Sequence, residues 1–176
     1  MRKFPLPWLD RTGKFSFLRL GVFLAVVLPA LWIAWQASSN MLGPRPLTEA
    51  IHQSGQWAVR LLAATLAVTP LRQATRWNKL ISIRRMLGLS VFAYALLHLL
   101  LYIWDQHGDL LHVASEIVLR IYLTIGFVAL AGLCLLAATS FDAAIRRLGA
   151  ARWNRIHQFV YVIAGLGAVH FFLQSK

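Results

Sequence analysis

Five blocks of apolar residues alternate along the chain with short polar stretches. They fall at about 18–36, 55–71, 86–104, 119–139 and 155–174. A helix crosses a hydrocarbon core of about 30 Å with roughly 20 residues, so the pattern predicts five transmembrane helices. The second block is the least regular, because it is short and Arg60 interrupts it. The stretches between blocks are brief, and none holds an extramembrane catalytic domain.

Composition agrees with an all-α integral membrane helical bundle. Hydrophobic residues make up 59% of the 176 residues and charged residues only 14%, whereas a soluble domain keeps far more of its residues for water. The basic N-terminal stretch "MRKFPLPWLDRTGKFSF" leads into the first block with no small-residue cleavage site after it, which predicts a retained anchor. A lone Cys134 excludes an intrachain disulfide and a thiolate cluster, and is expected to be a small buried residue. No Walker loop, no GxGxxG after a strand, no HExxH, no GxSxG and no internal repeat is evident.

The formal net charge is +12, but its distribution argues against nucleic acid. Basic residues gather on alternate connections. They are Arg2, Lys3, Arg11, Lys14 and Arg19 before the first block, Arg72, Arg76, Lys79, Arg84 and Arg85 before the third, and Arg146, Arg147, Arg152 and Arg155 before the fifth. The opposite side has Arg45, Arg120 and Lys176, with four of the six acids: Glu49, Asp105, Asp109 and Glu116. The positive-inside rule then places the N-terminus in the cytoplasm and the C-terminus outside.

Three histidines, His98, His157 and His170, fall within the apolar blocks, where an ionisable side chain is costly and points to function. His52, His107 and His112 fall in or beside the outer connections and read as solvated residues. His98 lies fourteen residues beyond Arg84 and His170 fifteen beyond Arg155, so each sits roughly 21–22 Å in from the basic rim. Two imidazoles at one depth can clamp an iron, and bis-histidine ligation suits a haem in an electron-carrying bundle. Without CxxCH it is a non-covalent b-type haem. His157 lies about 20 Å nearer the basic rim and roughly 140° around an ideal helix from His170. A second haem there would face Arg84 or Arg85 rather than another histidine. These arginines are ordinary positive-inside flanking residues, or they hold haem propionates, a flavin phosphate or a lipid headgroup.

Several stretches carry a family resemblance. They are "ATLAVTPLR" (64–72), "IRRMLGLSVFAYALLHLLLY" (83–102), "YLTIG" (122–126) and "LGAARWNRIHQFVYVIAGLGAVHFF" (148–172). In order and over nearly the whole chain, the sequence resembles the haem-binding membrane subunits of bacterial periplasmic methionine-sulfoxide reductase systems. These form the MsrQ or YedZ family, within the ferric-reductase-like transmembrane superfamily. The resemblance implies that residues 1–176 are one ferric-reductase-like haem-binding domain in the bacterial inner membrane. It maps the ligand histidines onto His98, His157 and His170. It implies haem b, one or two per chain, and attributes FMN to the family.

The implied role is an electron-transfer subunit. It passes electrons from the quinone pool or a cytoplasmic flavin reductase to a periplasmic molybdopterin enzyme, which reduces methionine sulfoxide in oxidised proteins and holds the catalytic site. Two departures stand out. Relatives often continue into a sixth helix, whereas this sequence stops six residues after His170. Relatives also carry Arg-Pro-Tyr where this chain has Arg120, Ile121 and Tyr122. The rival readings are a non-haem membrane scaffold or transporter, and a stand-alone haem-dependent ferric or quinol reductase.

Overall fold

In hydrocarbon, backbone N–H and C=O groups must pair within the segment, so long apolar runs become helices. The computed structural model describes residues 6–9 and 13–174. Arg2, Lys3, Arg11 and Lys176 of the charge pattern lie outside the described residues. Among the described residues, helices are joined by short turns, and the extended pairing is a single bridge between Leu9 and Phe15.

The helices are α1 (Phe17–Ser38), α2 (Pro46–Thr75), α3 (Ile81–Asp105), α4 (Leu110–Leu119), α5 (Ile121–Ala138), α6 (Asp142–Gln158) and α7 (Val160–Gln174). Local chemistry sets their ends. The Ser16 hydroxyl accepts the Arg19 N–H at the start of α1. Pro46 opens α2, where its missing N–H has no helical partner to lose. His107 and Gly108, at φ 56 and 77, reverse the chain after α3. Asp109 then caps α4, its carboxylate accepting the His112 N–H at 2.9 Å.

Four stretches are long and apolar enough to cross a membrane: Phe17–Ser38, Asn78–Asp105, Ile121–Ala138 and the near-continuous run Asp142–Gln174. The chain is a multi-pass membrane protein of all-α architecture. The second predicted helix differs most from expectation. It runs 30 residues from Pro46, and Glu49, His52, Gln53, Gln56 and Arg60 leave it long enough to span but too polar to qualify by composition. The stretches 105–118 and 140–154, expected as loops, contain α4 and most of α6. A ten-residue helix carries no span signal, and α6 carries no continuous apolar stripe, so reading for spans passed over both.

Packing divides the bundle into two close pairs, α2 with α3 and α5 with α7, with α1 lying against α2 and α3. Tyr94 ties α3 to α1 by donating to the Val26 carbonyl at 2.7 Å. Leu61, Leu62, Val91, Tyr94, Ala129, Leu133 and Ile163 form the shared core. Buried Ser54, Thr65 and Ser90 donate to carbonyls of their own helices, so no hydroxyl among them is left dry. Large side chains such as Trp32, Val128, Tyr161 and Phe172 face outward, as lipid-facing residues do. Cys134 is exposed on this surface, which corrects the expectation that it is buried. Helix α5 is apolar on every side, so hydropathy alone did not reveal which face turns inward.

Candidate functional site

The two helix pairs meet less closely than the helices within each pair, and a cavity of about 460 Å³ lies between them. That is a usual size for a ligand site. Its walls are largely apolar, with Leu62, Val91, Leu130 and Ile163 among them. Polar groups on the wall are His52, Gln56, Tyr102, Tyr122 and Gln174, besides His98 from α3 and His170 from α7.

His98 and His170 come together across this cavity, with ring centroids 6.2 Å apart and planes 84° apart. Each ring is fixed by one hydrogen bond to a neighbouring helix. Nδ1 of His98 lies 2.8 Å from the Ile51 carbonyl, and Nδ1 of His170 lies 2.7 Å from the Tyr122 carbonyl. A carbonyl only accepts, so each Nδ1 carries the proton and each Nε2 keeps its lone pair. This is how metal-binding imidazoles are held: the outer nitrogen donates to a carbonyl and the inner one faces the metal.

The spacing suits a shared metal. With nitrogen–metal bonds of about 2.0–2.1 Å, as at zinc, imidazoles on opposite sides of one ion have centroids about 6 Å apart. Among the described residues, no group of three or more His, Cys, Asp or Glu could hold a metal ion. Two imidazoles alone are too few for a bare ion. They are the right number for a metal that brings its own equatorial ligands, as the iron of haem does. The donor set, the apolar walls and the cavity size all fit haem.

The other sequence-selected residues lie elsewhere. His157 is absent from the cavity wall: its Nε2 is 3.1 Å from the Thr139 hydroxyl, and its ring stacks on Trp153 at 4.0 Å. Trp153 in turn donates its indole N–H to the Thr139 carbonyl at 3.0 Å, so this cluster closes the end of α5. Arg85 pairs with Asp142 at 2.7 Å, linking the starts of α3 and α6. Arg84 lies half-buried on the same turn of α3, and neither arginine lines the cavity.

Of the three histidines read as loop residues, His52 belongs to α2 and lines the cavity. Its position four residues before Gln56 was the available signal, since both fall on one helical face once the helix is known to begin at Pro46. The four acids expected on the outer side are engaged locally. Glu49 accepts from Gln53, Asp105 from Gln106 and Asp109 from the α4 backbone, while Glu116 pairs with Arg120 at 2.6 Å.

Residues 54–168 match the family described as "Ferric reductase like transmembrane component". A protein of Polaromonas naphthalenivorans (strain CJ2), named protein-methionine-sulfoxide reductase heme-binding subunit MsrQ, is 45% identical over 152 residues, covering 86% of this chain and 69% of its own. A protein of the same name from Azospira oryzae is 42% identical over 159 residues, 90% of this chain and 68% of its own. One from Deinococcus radiodurans is 39% identical over 166 residues, 94% of this chain and 82% of its own. No solved structure matches the chain.

Proposed function

The chain belongs to the ferric-reductase-like transmembrane family, and within it to the MsrQ heme-binding subunits; we propose that it carries electrons across the bacterial inner membrane to a periplasmic methionine-sulfoxide reductase. The observation that carries this reading is the pair of cross-cavity imidazoles, 6.2 Å apart, each with its Nδ1 held by a carbonyl.

In this reading His98 and His170 would hold one haem b through their Nε2 atoms. When bound, haem supplies a one-electron redox centre inside the membrane, where no protein side chain serves as well. The chain's own residues do the rest. The Ile51 and Tyr122 carbonyls orient the rings and raise the basicity of Nε2. Leu62, Val91, Leu130 and Ile163 exclude water, which keeps the surroundings of low dielectric and tunes the potential. The polar wall residues His52, Gln56, Tyr102, Tyr122 and Gln174 offer hydrogen bonds to the carboxylate edge of a macrocycle.

His157, stacked on Trp153 within the basic α6, belongs in this reading to the cytoplasmic side, where quinone or a flavin reductase would deliver electrons. For FMN, the second cofactor that the resemblance implies, Arg146 and Arg147 provide cations beside an open concavity of about 930 Å³. The partner that holds the catalytic site is a molybdopterin enzyme, met at the turns preceding α2 and α4.

A pyridine haemochrome assay on the purified full chain, with haem counted per polypeptide, tests this function. One haem per chain, with the low-spin spectrum lost in both His98→Ala and His170→Ala, is the expected result. A colourless, folded preparation from haem-replete cells would leave the non-haem scaffold reading in its place.

A further inference from the structure

The two histidines are held by the same arrangement of parts, built twice. The Ile51 carbonyl and His98 are 47 residues apart, and the Tyr122 carbonyl and His170 are 48 apart. In each case the accepting carbonyl lies four residues, one helical turn, before a glycine: Ile51 before Gly55, and Tyr122 before Gly126. The ring lies where that glycine's side chain would be. A Cβ on Gly55 would stand 3.0 Å from His98 Nδ1 and 3.1 Å from its Cε1. A Cβ on Gly126 would stand 2.8 Å from both Nδ1 and Cε1 of His170. Unstrained carbon contacts begin nearer 3.5 Å.

A flexible side chain could move aside, but these rings cannot. Each is pinned by its Nδ1 hydrogen bond to the same helix that carries the glycine. Moving the ring away from a methyl group lengthens that bond and turns Nε2 off its line. Glycine in a helix interior is destabilising relative to alanine, and here it stands opposite both imidazoles. We propose that Gly55 and Gly126 are positioning residues for the two axial ligands, each leaving the space that lets its histidine dock on the helix and hold Nε2 towards the metal. The inference rests on the reading of His98 and His170 as haem ligands.

Two other glycines in the bundle separate this role from a general packing role. Gly165, in α7, has nothing within 4 Å of its would-be Cβ. Gly132, in α5, would bring its Cβ within 2.8 Å of Ile163, a clash as close as that at Gly126 but against an aliphatic chain.

The experiment compares Gly55→Ala, Gly126→Ala, Gly132→Ala and Gly165→Ala in the full haem-loaded chain. It reads the optical and EPR spectra, the midpoint potential, haem occupancy and the melting temperature. Gly126→Ala should lose or shift the low-spin signal and lower occupancy, and Gly55→Ala should do so less. Gly132→Ala should lower the melting temperature while its folded fraction keeps the wild-type spectrum, and Gly165→Ala should match wild type throughout.

Should Gly126→Ala fail to fold, the test passes to Gly55→Ala and to a detached ligand. Free imidazole added to His170→Gly should restore the low-spin spectrum, and Gly55→Ala should leave the affinity of that rescue unchanged while altering the His98 side. Wild-type spectra and potentials in the folded glycine variants, or changes no larger than those of Gly132→Ala, overturn the proposal. Loss of the low-spin signal in His98→Ala and His170→Ala, beside unaltered glycine variants, would defeat this inference alone. Retention of that signal in the histidine variants would defeat the haem-ligand reading beneath it.

Discussion

The His98 and His170 rings stand almost at right angles, 84° between planes, although both belong to one cavity. The angle follows from their anchors, because each plane is set by a carbonyl of a different helix, Ile51 of α2 and Tyr122 of α5. Nothing about one ring constrains the other except the fold.

Perpendicular axial planes have a spectroscopic consequence. If both imidazoles held one iron with these planes, the oxidised protein should show a low-spin EPR signal with one unusually large g value. His98→Ala and His170→Ala should each remove that signal or leave a high-spin remnant with a shifted potential, because the cavity's other imidazole, His52, is carried by α2 and not by either ligand helix. An ordinary rhombic low-spin signal in the wild type would mean that the rings rotate towards parallel when iron binds.

His157→Ala should spare that signal, because His157 is engaged with Thr139 and Trp153 rather than the cavity. The loss of one hydrogen bond and one ring contact should cost about 1–2 kcal/mol of stability. Under the proposed function, stopped-flow reduction from a quinol should slow, since the variant opens the C-terminal end of α5. Disappearance of the main low-spin haem in His157→Ala, with His98→Ala intact, would reverse the assignment of ligands.

Topology turns on α2. In a Cys134→Ser background, single cysteines at Gly43 and Asn78 flank that helix. If α2 crosses the bilayer, a membrane-impermeant thiol reagent added from outside should label the Gly43 site and not the Asn78 site. Labelling of both from one side would show that α2 does not cross, despite its 30 residues.

The outer acids should matter unequally in docking. Glu116 is already paired with Arg120, whereas among the described residues the Glu49 carboxylate accepts from the uncharged Gln53. Under the proposed function, Glu49→Gln should therefore slow coupled turnover with the reductase partner and weaken its salt dependence, and Glu116→Gln should do less. Asp109→Asn removes a charge while keeping a good helix cap, so a fall in turnover there reports charge and not loss of α4. Docking-limited turnover that ignores ionic strength would show these acids to be loop solvation.

The sequence made much of this legible. Helices at α1, α3, α5 and α7 follow from apolar runs long enough to span. The pairing of His98 with His170 followed from depth, because two residues equally far from basic rims on different helices sit at one level. Depth gives no angle around the axis, however, so it did not say that His157 turns to Thr139 or that His52 turns to the cavity. Helix α2 was cut short because its polar N-terminal half carries no span signal, and α4 was too short to carry one.

Hydropathy and charge are local properties, summed along a few turns, and they determined the class of the protein, its main helices and the three histidines worth watching. The tertiary fold decided which helices pair and thus where the cavity opens. It also decided which carbonyls receive the imidazole protons. Gly55 and Gly126 look like any other helical glycines in the sequence, because the rings that need their space come from residues more than forty positions away.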